Sequence, residues 1–110
     1  MSELDKMQEL EERVMPLIAE AGIARSKAME AIAAAKKGDF SSAETLLIEC
    51  DTAMTKAHQR HSDFIQDSLD DCSKQVPLLI IHAEDHLMTT ILARDFAREI
   101  IDLYKTIKQE

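Results

Sequence analysis

Apolar residues recur along the first third of the chain at steps of three and four. Met7, Leu10, Val14, Leu17, Ile18, Ala21, Ala24, Ala28, Ala31, Ile32 and Ala35 form one stripe, with Glu, Lys and Arg between them. That period is the mark of an amphipathic helix with one face turned inward, and it predicts a helix over about residues 4–37. Pro16 interrupts the stripe. Proline lacks an N–H and disfavours helix in the residue before it, so the firm helix is expected near Pro16, with a looser or kinked turn upstream. The run "KKGDFSSAE" closes the segment. Two lysines suit a helix C-terminus, Gly38 suits the left-handed cap, and Ser41 or Ser42 is expected to cap the next helix, with Glu44 in reach for a capping box.

A second stripe runs through Ala43, Leu46, Leu47, Cys50, Ala53, Met54, Ala57, His61, Phe64, Ile65 and Ser68, predicting a helix over about 41–71 that pairs antiparallel with the first. The polar run "SLDDCSKQVP" breaks it, and Pro77 stands where an opening turn tolerates proline best. A third helix is expected over about 77–108. The fold class read from this pattern is all-α: an antiparallel three-helix bundle, one domain over residues 1–110.

On the third segment, Leu78, Thr89, Leu92, Ala93, Phe96, Ile100, Leu103 and Ile107 share one face, with Arg94, Asp95, Arg98, Asp102 and Lys105 opposite. The apolar stripe is expected to face inward, and His82, Asp85 and His86 lie on it. Ile80, Ile81, Leu87, Met88 and Ile91 occupy the side that is polar further on, so the first half of this helix is apolar nearly all round. One face of a three-helix bundle cannot cover such a segment, and contact with other subunits is expected, with the ionisable cluster near the junction.

Composition narrows the partners. Gly and Pro number two each in 110 residues, aromatics are 4%, and the formal charge is −8 with basic residues dispersed. Phosphate backbones and anionic membrane surfaces would be repelled, so nucleic acid is not an expected partner. Cys50 and Cys72 form no CxxC pattern, and no signal peptide or membrane-length apolar run is present, so a cytoplasmic chain with reduced thiols is expected.

The chemistry concentrates at His82, Asp85 and His86. Their i, i+3, i+4 spacing puts two imidazoles side by side with a carboxylate next to them. A neutral imidazole nitrogen is a good nucleophile near pH 7 and can accept a phosphoryl group. Such a transfer asks the protein to position the nitrogen and to offer donors to the phosphoryl oxygens, roles open to His86 and the Thr89 hydroxyl. Asp85 is expected either to orient an imidazole or to be neutralised by a cation. The competing readings are a metal-binding helical bundle using His82, Asp85 and His86, and a structural adaptor. His58 and His61, one turn apart, read as structural or partly exposed with no acid beside them. Met15, Met29, Met54 and Met88 match core spacing, Cys50 reads as an inert core residue, and Asp70, Asp71 and Cys72 fall in a loop.

The blocks "AGIARSKAMEAIAAAKKGDFSSAETLL", "AH" at Ala57 and His58, and "IIHAEDHLMTTILARDFAREIIDLYK" resemble, in this order, the enzyme IIA component of the lactose/cellobiose (diacetylchitobiose) class of the bacterial sugar phosphotransferase system. The resemblance covers most of the chain. It implies a homotrimer of three-helix subunits with phosphoryl carried on the first histidine of the "HxxDHLM" block, here His82. It also implies a relay from the histidine of the phosphocarrier protein HPr to a cysteine of enzyme IIB, with the membrane met only through the permease. Asp85 matches the metal-binding position at the trimer axis, commonly magnesium, one divalent cation per trimer, and His86 matches the neighbouring histidine. Departures from the family pattern are Glu84 where Gln is usual, His61 and Ser62 where Gln and Thr are usual, and a missing glycine before the third helix.

Overall fold

Alanine sets the spacing of the bundle. Ala21, Ala24, Ala28, Ala31 and Ala35 of the first helix, Ala43, Ala53 and Ala57 of the second, and Ala83 and Ala97 of the third are all buried, interleaved with Val14, Leu17, Leu47, Cys50, Leu87 and Ile101. Small side chains at the contacts let helix axes approach closely, and interiors pack to crystal-like density only when such facing residues interdigitate. The computed structural model describes residues 2–69 and 76–109. It comprises α1 (Glu3–Lys36), α2 (Phe40–Leu69) and α3 (Leu78–Gln109), lying side by side in a rod of 63 × 20 × 18 Å. No strand occurs among the described residues. The expected end of the second helix near 71, the Asp70 and Asp71 loop and Cys72 lie outside the described residues.

Cross-helix pairs fix the directions. Glu20 meets Arg60 and Lys27 meets Glu49, so α1 and α2 are antiparallel. Glu44 meets Arg98 and Lys105, Asp51 meets Arg94, and His61 meets Glu84, so α3 runs antiparallel to α2. Between α1 and α3 the buried Thr90 hydroxyl donates to the Ala21 carbonyl at 3.2 Å, which satisfies a group that would be costly to bury unpaired. The topology is up-down-up.

The helix ends differ in part from expectation. α1 does not start near Pro16. It begins at Glu3, capped by Ser2, whose hydroxyl accepts from the Asp5 N–H at 3.1 Å while the Asp5 carboxylate accepts from the Ser2 N–H at 3.3 Å. The helix passes through Pro16 because Val14 and Leu17 are buried on either side of it, and the Arg13 guanidinium pairs with Asp67 and lies 4.7 Å from the Phe64 ring centre. These contacts offset the hydrogen bond that proline removes. Gly38 takes the left-handed cap as expected, at φ 87°, with its N–H donating to Ala35 and that of Asp39 to Ala34, a Schellman closure. The cap of α2 is Asp39 rather than Ser41 or Ser42, its carboxylate accepting from the Ser42 N–H at 3.2 Å and the Ser42 hydroxyl at 2.7 Å. α3 starts one residue after Pro77, whose carbonyl accepts from the Ile80 N–H at 3.1 Å.

The larger correction concerns the face of α3. Its buried residues are Ala83, Leu87, Thr90, Ala97 and Ile101, roughly a third of a turn round the helix from the stripe expected to face inward. Leu78, Leu92, Phe96, Leu103 and Ile107 are exposed in the single chain, Phe96 at 57% and Leu103 at 59%. Thus Ala83, Thr90 and Ala97 face α1 and α2 with Leu87 and Ile101 between them, while Leu78, Leu92, Phe96, Leu103 and Ile107 face outward together with His82 and Asp85.

Glu44 holds the far end of the α2–α3 seam. The Arg98 Nη1 lies 2.8 and 3.1 Å from its two oxygens and the Lys105 Nζ 2.7 Å from one of them. These two cations push its carboxyl down from 4.5 to about 2. A depressed folded-state pKa stabilises the fold above the unfolded value and ceases to do so as pH falls through the folded one. The stabilisation should therefore be full above pH 4.5 and drain away toward pH 2. Thermal unfolding across that range should lose less stability in Glu44→Gln than in the parent chain; identical acid limbs for the two would contradict the assignment.

Candidate functional site

Helical geometry alone brings the two histidines of α3 together, since positions four apart stand one above the other. The His82 and His86 rings lie edge to face, with centroids 4.5 Å apart and planes at 82°. Their Nε2 atoms are 3.1 Å apart, so one ring donates an N–H to the lone pair of the other, in whichever tautomer order the proton takes. The turn that carries them is firmly seated. Ala83 and Leu87, the residues after each histidine, are buried in a cluster with Val14, Leu17, Ala21 and Ala57. The backbone beneath the imidazoles is thus anchored by both other helices, while His82 is exposed and His86 half-buried.

Asp85 shares this outer face. Its carboxylate does not orient either imidazole; the two rings bond each other instead. The Thr89 hydroxyl, expected as a donor to substrate oxygens, donates to the Asp85 carbonyl of its own helix at 2.7 Å and also approaches that of His86 at 3.3 Å. Back-bonding of this kind is the common fate of threonine within helices. Among the described residues no group of three or more His, Cys, Asp or Glu side chains is arranged to hold a metal ion, so His82, Asp85 and His86 do not form a three-ligand centre within one chain.

Glu84 points the other way. Its carboxylate meets His61 Nε2 at 2.5 Å and ties the histidine-bearing turn of α3 to α2. The sequence reading found no acid beside the His58 and His61 pair, because the acid comes from another helix. Glu84 and His61, each named above as a departure from the pattern of the family the chain resembles, meet each other. His58 is exposed, its Nδ1 3.5 Å from the Ser62 hydroxyl and its ring 6.3 Å from that of His61. Cys50 is buried and burial pushes its thiol up, as expected of an inert core residue. Two shallow surface grooves, one beside Ile23, Lys27 and Ile48 and one beside Asp51, His58 and Arg94, lie away from His82 and His86.

A pair of imidazoles on the outer face, hydrogen-bonded to each other and backed by a rigid helix, offers a nitrogen nucleophile once that bond opens, with an N–H donor beside it. Among the described residues the two surface grooves do not include this pair, and its position on an outer face suits group transfer between proteins. No helix is long and apolar enough to cross a membrane among the described residues.

The comparisons with known proteins agree with this reading. The family model for the PTS system, Lactose/Cellobiose specific IIA subunit, matches residues 12–105. The lichenan-specific phosphotransferase enzyme IIA component of Bacillus subtilis (strain 168) is 39% identical over 94% of each chain. Among solved structures, the cellobiose-specific enzyme IIA of Bacillus anthracis superposes with a TM-score of 0.86 at 36% identity, covering 91% of this chain and 92% of that one. The IIA(Chitobiose) of the N,N'-diacetylchitobiose branch of the Escherichia coli phosphotransferase system, solved in complex with HPr, gives a TM-score of 0.81 at 38% identity, covering 90% and 96%. The all-helical fold, the matched span and the extent of these similarities establish that the chain belongs to the lactose/cellobiose-specific IIA family of phosphotransferase-system components.

Proposed function

We propose that this chain carries phosphoryl on His82, accepting it from the phosphohistidine of HPr and passing it to the cysteine of an enzyme IIB during uptake of a lactose-, cellobiose- or chitobiose-type disaccharide. The observation that carries the proposal is the His82 and His86 pair, Nε2 atoms 3.1 Å apart on an exposed turn. In the accepting step the His82 Nε2 lone pair attacks phosphorus in line with the departing donor nitrogen. One N–P bond forms as the other breaks, the donor phosphoimidazolium becomes neutral imidazole, and His82 becomes the phosphoimidazolium, with no net proton moved. A loose transition state of this type gains mainly from positioning and from donors at the equatorial oxygens. In the tautomer in which His86 is the donor, its N–H caps the His82 lone pair at rest and can turn to those oxygens when phosphoryl arrives. In the second step an incoming thiolate displaces His82, forming S–P as N–P breaks. The relay runs in the cytoplasm and meets the membrane only through the permease.

Assembly belongs to the same reading. The outward apolar stripe of α3, with Phe96 57% and Leu103 59% exposed, calls for cover, and a homotrimer with α3 toward the common axis supplies it. Asp85 lies on that stripe, and its carboxylate oxygens are the donor type that magnesium takes. One chain supplies one such side chain, so the ion fits only where copies meet, and Asp85 is the residue that would hold it. A bound ion there would offset the repulsion among gathered carboxylates. Replacing Asp85 with Leu should leave assembly intact or strengthened while the bound divalent metal is lost; dissociation of the assembly in that variant would show that the metal bridge outweighs the repulsion it relieves.

Incubation with phosphoenolpyruvate, the general phosphotransferase enzyme and HPr should place an acid-labile phosphoryl group on the chain. His82→Ala should abolish labelling. His86→Ala should still be labelled but should transfer to enzyme IIB at least tenfold more slowly, the scale expected from losing one donor to the reacting oxygens. Labelling of His82→Ala at the parent level would exclude His82 as the carrier.

A further inference from the structure

The geometry points to a second ligand for the histidine pair: we infer that His82 and His86 form a two-nitrogen chelate for a borderline divalent ion such as Zn²⁺, and that the ion and a phosphoryl group exclude each other at the His82 Nε2. The chelation stands on the structure alone. The mutual exclusion rests on the phosphoryl-carrier reading above.

The separation of the nitrogens is the first argument. Zn–N bonds of about 2.0–2.1 Å put two nitrogens about 3.3 Å apart on a tetrahedral ion and about 2.9 Å apart at a right angle. The observed Nε2 to Nε2 distance is 3.1 Å, so an ion can take the place of the hydrogen bond without driving the two nitrogens apart, once the donor ring's proton passes from Nε2 to Nδ1. The helix already holds both rings on one face, so much of the ordering cost of chelation is met before the ion arrives. No proton need be released: both neutral rings take the tautomer with the proton on Nδ1, presenting two Nε2 lone pairs.

Donor chemistry and electrostatics favour the same conclusion. Imidazole nitrogens suit zinc, copper and nickel, whereas magnesium prefers oxygen, so this site is distinct in metal class from any carboxylate site at Asp85. The remaining coordination positions fall to water, since His82 is exposed and no third protein ligand converges on the pair among the described residues. The chain's formal charge of −8 attracts cations generally. The other histidine pair lacks this geometry, because His61 Nε2 is engaged by Glu84 and its ring centroid lies 6.3 Å from that of His58. It therefore serves as an internal control.

Equilibrium dialysis against Zn²⁺ in buffer with excess Mg²⁺ tests the chelate, with the helical circular-dichroism signal confirming that each variant is folded. The parent chain should bind one ion per chain at this pair. His82→Ala and His86→Ala should each weaken binding at least tenfold, and His58→Ala should change it less than twofold. Parent-like binding in both α3 variants, or loss of the ion in His58→Ala, would overturn the chelate. The phosphorylated chain should take up no Zn²⁺ at the pair; undiminished uptake would overturn the exclusion. A chain that accepts no phosphoryl even without Zn²⁺ would instead contradict the carrier reading, and the dialysis series would still decide the chelate.

Discussion

Alanine at ten of the seventeen buried positions among the described residues forces a division of labour on this molecule. Ala24, Ala28, Ala31 and Ala35 of α1 meet Ala43 and Ala53 of α2 and Ala97 of α3 in one continuous cluster, where a larger side chain would drive the helices apart at a cost of about 1–3 kcal/mol. The close approach leaves full burial to just two large apolar side chains of α3, Leu87 and Ile101. Leu92, Phe96, Leu103 and Ile107 are consequently outside, although each would contribute about 1.5–3 kcal/mol if buried. A bundle that displays leucine and phenylalanine outside in the single chain leaves that hydrophobic stabilisation unused unless, as proposed, other copies cover it. The phosphoryl-transfer site proposed for His82 stands on that same outer face, so the proposed transfer and the proposed assembly would draw on one surface.

Polar contacts keep the α2–α3 seam in register where alanine alone is undirected. Glu44 with Arg98 and Lys105, Asp51 with Arg94, and Glu84 with His61 succeed one another along the two helices. The Arg94 pair is bidentate, at 2.7 and 3.0 Å, and holds the Asp51 carboxyl below its ordinary range. Bidentate geometry is directional, so it resists sliding of one helix past the other more than a point contact does. The last pair of the series lies within the turn that carries His82 and His86, and with Ala83 and Leu87 buried behind them the imidazoles are presented from a fixed backbone.

Much of this was legible from residue order. The period of α1 and α2 gave their buried faces, Gly38 announced the turn because few other residues adopt its φ, and the i, i+4 spacing of His82 and His86 gave the imidazole pair. What misled was size. On α3 most of the larger apolar residues mark the outward stripe, while the inward one mixes Ala83, Thr90 and Ala97 with Leu87 and Ile101, so weighting by hydrophobicity selected the wrong face. Pro16 and the α2 cap misled for a different reason: tertiary contacts at Val14 and Leu17 override the helix-breaking tendency, and Asp39 competes with two serines that are equally good caps in isolation. The Glu84 and His61 contact joins two helices and has no local signature.

The central claim is that the outer face of α3 is an interface, made so by the alanine interior. Sedimentation equilibrium of the parent chain at micromolar concentration tests it most directly. The account predicts a single species of three times the chain mass, and a charged substitution such as Phe96→Glu on the outer stripe should shift it toward the monomer without loss of helix content. A stable monomer of the parent chain, its Leu92, Phe96 and Leu103 stripe left open to water, would contradict the account.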